Sequence, residues 1–173
     1  DPCHEEVLLK IFSHNRCNSV VGAFNCQYYE GEPRRHLVAG SISPLDVEGL
    51  TGDDFALYVQ QRQKLVRARR HGRITLWLAE LGWELVTIAP IVKGLAPIGL
   101  VERLNGGAAV TGVRHAGNES EVDLRDGGRF VAWCDCEPLS AVAGDERWPF
   151  AYDRNAKLLR VEVGCRGPTT LRL

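Results

Sequence analysis

The 173-residue chain carries 21 Lys and Arg against 22 Asp and Glu, a formal net charge of −1, and 45% of its residues are hydrophobic. That length suits one domain with a substantial core, and the charge balance gives neither nucleic acid nor an anionic membrane an electrostatic reason to bind. The longest apolar stretch, 85–100, is broken by Pro90, Lys93 and Pro97 and falls short of the roughly 20 residues that a membrane-spanning helix needs.

The chain opens at Asp1-Pro2 and contains no Met. Asp is a poor context for removal of an initiator Met, so a piece of a longer polypeptide is expected. Asp1 to Glu6 is polar and acidic, without the basic start of a secretory signal. Val7 to Phe12 then reads as a strand. Ser13 to Asn18 supplies turn formers, and Ser19 to Phe24 completes a hairpin. His36 to Ile42 is a short strand closed by Ser43-Pro44. Asp53 to Gln63 has some helical polarity, but Tyr58-Val59 and the lack of a cap favour a strand. A second hairpin is therefore predicted from Phe55 to Gln60 and Lys64 to Arg70. Ile74 to Leu81 alternates imperfectly, and Trp83 to Val92 is a long apolar strand after Gly82.

Further strands are predicted at Ala108 to His115 and Glu121 to Leu124. Arg125-Asp126-Gly127-Gly128 reads as a hairpin turn into Arg129 to Cys134. Phe150 to Tyr152 and Lys157 to Val163 form another hairpin, and Thr169 to Leu173 is a last alternating strand. About a dozen short strands at this spacing predict an all-β antiparallel sandwich, a single domain over residues 1–173. Leu95 to Leu100 is apolar without alternation and is punctuated by Pro97 and Gly99. It is expected to be a partly exposed docking face rather than a regular strand. Trp77, Trp83, Trp133 and Trp148 lie within apolar runs or beside Pro, so most are expected to be buried.

Several constellations invite chemistry. Six cysteines (3, 17, 26, 134, 136 and 165) are expected to be free thiols in a reducing compartment. Cys134 and Cys136 would lie side by side on one strand face, but no further metal ligands stand nearby. Cys26 could pair with His14 or His36 as a nucleophile, although no spacing singles that pair out. The basic run Lys64, Arg67, Arg69, Arg70, His71 and Arg73 lacks interleaved aromatics and reads as a charged hairpin edge. Glycosidase chemistry needs two opposed carboxyl groups. Asp46, Glu48, Asp53, Asp54, Glu80, Glu84, Asp123 and Asp135 are available, but most fall where turns already favour acids. Gly106-Gly107 after Asn105 marks a loop and is not a phosphate cradle.

Three blocks carry a resemblance. "VLLKIFSHNRCNSVVGAFNCQ" (Val7 to Gln27), "ELVTIAPIVKGLAPIGLVERLNGGAAV" (Glu84 to Val110), and "GRFVAWCDCEPLS" with "FAYDRNAKLLRVEV" occur in this order. They resemble the C-terminal region of the raffinose synthase and alkaline α-galactosidase family, also called seed imbibition proteins. Departures are Phe12-Ser13 for Trp-Asn, Tyr28-Tyr29-Glu30-Gly31-Glu32 for a glycine-rich segment, and Arg125 to Arg129 for Arg-Gly-Cys-Gly. The resemblance implies a member of glycoside hydrolase family 36, with catalysis on an upstream (β/α)₈ barrel. One Asp there would act as nucleophile and a second as general acid/base, through a covalent galactosyl-enzyme. It further implies galactinol, sucrose or raffinose as substrates and a cytoplasmic or plastid location. No position here matches either Asp motif, so no catalytic, cofactor-binding or metal-binding residue is assigned and the chain alone is expected to be inactive. Cys26 is then expected at a strand end, with Asn25 and Gln27 pairing backbone at the sheet edge. The competing reading is a free-standing carbohydrate-binding or interaction module, which would show planar aromatics on one exposed face.

Overall fold

The computed structural model describes residues 5–27 and 37–173. Cys3, His36 and the Tyr28 to Glu32 segment lie outside the described residues. Sixteen strands are present among the described residues: β1 (Leu9–His14), β2 (Ser19–Phe24), β3 (Val38–Ile42), β4 (Asp54–Val59), β5 (Lys64–Arg69), β6 (Ile74–Leu78), β7 (Trp83–Pro90) and β8 (Leu95–Leu100) make up the first half. The second half holds β9 (Val110–Ala116), β10 (Glu119–Leu124), β11 (Gly128–Cys134), β12 (Val142–Ala143), β13 (Glu146–Arg147), β14 (Phe150–Asp153), β15 (Leu158–Val163) and β16 (Thr169–Arg172). The helical content of the described residues is two 3₁₀ turns, Pro44–Asp46 and Gly106–Ala109.

The strands form sheets in the orders β1-β2-β7-β4-β5, β14-β15-β11-β8 and β13-β12-β16-β10-β9, with β3-β6 as a two-stranded sheet. All pairings are antiparallel. Three apolar seams stack these sheets as layers. Ile42, Leu76 and Leu78 of β3-β6 meet Val21, Phe55, Leu57, Val86 and Ile88 of the β1-β2-β7-β4-β5 sheet. The other face of that sheet presents Ala56, Tyr58 and Ala89 to Ile98, Val131, Trp133 and Leu158. Beyond these, Phe130, Leu159 and Val161 meet Val122, Leu124 and Leu171 of the outermost sheet.

The layering explains why Leu95–Leu100 does not alternate. Every residue of β8 is buried and Ile98 is 1% exposed, because both faces of the strand are covered. Leu95 and Leu100 enter one seam while Ala96 and Ile98 enter the other. A strand covered on both faces reads as a continuous apolar run. The expectation of an exposed docking segment is therefore corrected: Leu95 to Leu100 is the end strand of its sheet, buried on both faces between layers. Gly99 (φ +117°) sits beside a register shift opposite Val131 and Ala132, and this bulge lets Pro97 be tolerated within the sheet.

The turn at Arg125 to Gly128 also differs from its reading. β10 pairs with β9 and β16, whereas β11 pairs with β15 and β8, so this segment crosses between layers and closes no hairpin. Its glycines have a steric reason. A Cβ on Gly127 would stand 2.1 Å from the Cys165 carbonyl oxygen, and Gly128 has φ +138°. Asp126 fastens the crossing, its Oδ1 accepting from the backbone N–H groups of Gly127 and Gly167, each at 2.9 Å.

Two motifs far apart in the sequence meet in space. Asn18, in the β1–β2 turn, is 3% exposed. Its Nδ2 donates toward the carbonyls of Pro97, Ile98 and Gly107 at 3.2, 3.3 and 3.4 Å. Its Oδ1 accepts from Asn15, which in turn exchanges hydrogen bonds with Asn105. A Cβ on Gly107 would lie 2.3 Å from Asn18 Oδ1, and one on Gly106 1.9 Å from the Leu100 carbonyl oxygen. The Asn–Gly–Gly loop is thus a polar clasp that ties the first hairpin to β8.

Candidate functional site

The acids singled out by sequence are distributed among structural tasks. Asp46 accepts the Ser43 N–H at 2.8 Å to close a capping box, and pairs with Lys10 at 2.5 Å. Asp54 is held by the Arg67 guanidinium on the neighbouring edge strand. Glu84 is buried, and its Oε1 accepts from the backbone N–H groups of Gln61 and Leu85 at 2.9 and 3.0 Å. Asp135 stands exposed beside Lys157. Glu80 lies in the turn before β7, and Glu48 and Asp53 both lie between the Pro44–Asp46 turn and β4.

Asp123 is the acid with the most developed surroundings. Arg114 grips it from β9, Arg114 Nη2 lying 2.8 Å from Oδ1, and Thr170 Oγ1 donates to it at 2.7 Å. It borders an open hollow of about 460 Å³ with Arg16, Thr111, Thr169 and Thr170. The Arg114 hydrogen bonds hold its carboxyl below the usual carboxylate range, with Thr170 adding to the effect. It is consequently an ionised partner of an arginine, the opposite of the raised pKa that a general acid requires.

The same direction holds for Asp54, through Arg67, and for Asp126, which Arg103 and then two backbone N–H groups pull down to about 2. A carboxyl depressed on folding contributes stability that is present above its unfolded pKa, near 4, and is lost as pH falls through its folded value. Melting temperature is therefore expected to hold above pH about 4 and to fall steadily between about 4 and 2. Thermal melts across that range check this, and a midpoint unchanged down to the lower end would contradict it. Asp123→Asn is expected to lower the midpoint at neutral pH and to reduce the remaining acid-induced drop.

The nucleophile candidates also resolve into structure. Cys26 lies just beyond β2 and is half-buried, as expected for a strand end. Asn25 and Gln27 flank it, both buried. Asn25 Nδ2 donates to the Leu78 carbonyl at 3.1 Å, and Gln27 Nε2 donates to that of Glu5 at 2.9 Å. His14 is engaged elsewhere, its Nδ1 3.0 Å from Ser19 Oγ and its Nε2 2.6 Å from the Glu48 carbonyl oxygen. His115 meets Ser120 Oγ in the same manner at 2.9 Å. In both cases His and Ser are directly opposed across a hairpin, which marks a recurring hairpin contact rather than a nucleophile and its base. Burial, with Lys93 nearby, keeps His115 below the usual histidine range. His115 and Ser120 border a hollow of about 830 Å³, with Lys93, Glu119, Glu137 and Arg172.

Cys17, Cys26, Cys134, Cys136 and Cys165 are free thiols. Cys134 and Cys136 do not share a strand face, because β11 ends at Cys134, which is buried, and Cys136 is exposed beyond it. Burial pushes the Cys134 thiol up, away from a reactive thiolate. The basic run lies on and after β5, the edge of its sheet. Arg67 is committed to Asp54, and Arg70 Nη1 donates to the carbonyls of Leu50 and Gly52.

The tryptophans correct the expectation made for them. Trp133 is buried and Trp148 half-buried, but Trp77 is 53% and Trp83 41% exposed. Alternation along β6 could have revealed Trp77, since Leu76 and Leu78 point to the core and the residue between them must point away. Trp77 therefore faces outward from β3-β6, whereas Trp83 lies on the opposite side of the adjoining sheet. They do not form the single aromatic face of a sugar-stacking module. Both border a hollow of about 480 Å³ around the intervening turn.

Comparison with known proteins supplies what the site geometry does not. A family model described as "raffinose synthase or seed imbibition protein Sip1" matches residues 1–163. A galactinol–sucrose galactosyltransferase of Oryza sativa subsp. japonica is 33% identical over 180 residues, covering 88% of this chain and 23% of that protein. Probable galactinol–sucrose galactosyltransferase 5 of Arabidopsis thaliana is 30% identical, covering 99% of this chain and 25% of its own length. Stachyose synthase of Pisum sativum is 25% identical, with 82% and 20% covered. The chain spans about a quarter of the length of these relatives, and no helix among the described residues is long and apolar enough to cross a membrane. With the family model covering nearly all of it, the chain belongs to the raffinose synthase or seed imbibition protein family.

Proposed function

We propose that this chain is the C-terminal β domain, residues 1–173, of an enzyme that transfers galactose from galactinol to sucrose. The domain would pack on and stabilise a catalytic barrel carried elsewhere in a longer polypeptide. The observation that carries this reading is the family match over residues 1–163, set against relatives about four times as long. The disposition of the acids supports it, because Asp46, Asp54 and Asp123 are bound to cations and Glu84 to backbone amides. In the proposed reaction a barrel carboxylate attacks the anomeric carbon of the donor while a second carboxyl protonates the departing oxygen. The acceptor hydroxyl, giving its proton to that second carboxylate, then displaces the enzyme carboxylate. Sucrose as acceptor gives a trisaccharide; water gives the hydrolysis of an α-galactosidase. Free thiols accord with a reducing compartment, the cytoplasm or a plastid.

The test is galactosyl transfer from galactinol to sucrose by the full natural chain, followed as trisaccharide formation. Activity is expected, and Asp123→Asn is expected to leave kcat unchanged at temperatures below its melting transition. Loss of turnover in that variant with an intact fold would place catalysis in this domain and contradict the assignment.

A further inference from the structure

We propose that the open corner formed by β1, β2 and the start of β7 is the face on which the rest of the same polypeptide docks. This inference rests on the reading of the chain as one domain of a longer enzyme and names the surface that joins the two.

Register defines the corner. Leu9 is opposed to Phe24 and Phe24 to Trp83, while Ile11 is opposed to Gly22 and Gly22 to Leu85. Directly opposed residues in antiparallel strands share a face, so Leu9, Phe24 and Trp83 form one row and Ile11, Gly22 and Leu85 the next. Val7 precedes Leu9 by two residues and continues the apolar series. Phe24 folds its ring over Gly22, where an added Cβ would stand 2.9 Å from it and 3.4 Å from Leu85. On the opposite side, Ala23, Glu84, Val21 and Val86 are all buried.

Burial along this face changes in steps. In the third row, Val20 and Thr87 are buried at 8% and 6% exposure, close to where Ala56, Tyr58 and Ala89 meet the next sheet. One row further out Leu85 is half-covered. In that same row Ile11, on the edge strand, is 57% exposed; in the outermost row Trp83 stands 41% exposed beside Leu9 at 36%, and Val7, ahead of the strand, is at 42%. The facing sheet thus covers one end of the face and leaves the other end, an apolar corner, uncovered.

The corner also contains a sheet edge. Among the described residues β1 has a neighbour on one side only, and all six of its residues are exposed. An uncovered, apolar edge strand is an aggregation hazard that proteins shield with charge, proline or a covering segment. Lys10 is the lone charge in Leu9–His14, and it is committed to Asp46 and the Ser41 carbonyl. A covering segment is the remaining device. The relatives supply its source, since about three quarters of their length lies outside the matched region.

Oxidative footprinting of the full natural chain tests the proposal, with Trp77 as an internal reference. Trp77 is 53% exposed and points outward from β6, away from Leu76 and Leu78; it shares the rim of a hollow with Trp83 but belongs to none of the rows that form the corner. Trp83 is expected to be oxidised at least about ten-fold more slowly than Trp77, with Phe24 also protected, because a docked surface reacts only on local opening. Oxidation of Trp83 at the rate of Trp77 would overturn the proposal. Protection that vanishes on dilution would assign the corner to a second copy of the chain, and protection that needs added galactinol or raffinose would assign it to a saccharide; either overturns it. Ile11→Lys in the full chain should expose Trp83 to oxidation while leaving Trp77 unchanged. Transfer activity measured on the same preparation keeps the two readings apart. Activity with an unprotected Trp83 defeats the docking face alone, and protection without activity defeats the enzymatic assignment alone.

Discussion

Ile98→Asp is expected to abolish cooperative folding of the 173-residue chain at 25 °C. Ile98 is 1% exposed and sits in the seam with Ala56, Tyr58, Ala89, Val131 and Trp133, where none of these residues can pair with a carboxylate through an ionic partner. An uncompensated charge there costs about 3–5 kcal/mol or more, comparable to the 5–15 kcal/mol that usually holds a domain together. Ile98→Val is the control, removing one methylene for about 0.5–1.5 kcal/mol. Urea titrations followed by near-ultraviolet circular dichroism distinguish the two variants. A cooperative transition for Ile98→Asp at the wild-type midpoint would mean that β8 is not buried between two layers.

Asn18→Leu is expected to destabilise the chain by about 3 kcal/mol, the second largest effect. Leucine matches asparagine in branching, so the loss isolates the hydrogen bonds. The carbonyls of Pro97, Ile98 and Gly107 lose the donor they share, and Asn15 loses one of its two acceptors. A buried acceptor left without its partner costs about 1–3 kcal/mol. Asn105→Ala touches the exposed end of the same clasp and should cost under about 1 kcal/mol. Equal shifts in urea midpoint for the two variants would show that the clasp is no more buried at Asn18 than at its rim.

Much of this architecture was legible where one periodicity acted alone. The hairpins β1–β2, β4–β5 and β14–β15 were marked by alternating or β-branched runs around turn formers, and each is present. The central layers were harder to read, because covering a strand on both faces erases the alternation that identifies it. Leu95 to Leu100 was misread for that reason, and its Pro97 and Gly99 looked like interruptions although a bulge absorbs them. Asp126-Gly127-Gly128 has hairpin chemistry but serves a crossing between layers, a matter of tertiary packing beyond any local signal. Trp77 was legible from its neighbours Leu76 and Leu78. Trp83 was not, since its exposure depends on where the facing sheet stops. The clasp of Asn18 with Gly106-Gly107 joins positions about ninety residues apart, and local patterns do not report such pairings. The family, by contrast, was carried by short blocks whose order survived.

Galactose transfer by the isolated 173-residue chain is the most direct test of its assignment as a non-catalytic domain. Purified chain, verified as folded by a cooperative melt, would be incubated with galactinol and sucrose beside the full natural polypeptide. Trisaccharide from the full polypeptide and none from the isolated chain is the expected result. Trisaccharide formed by the isolated chain, and lost on replacing one of its own carboxylates, would contradict it.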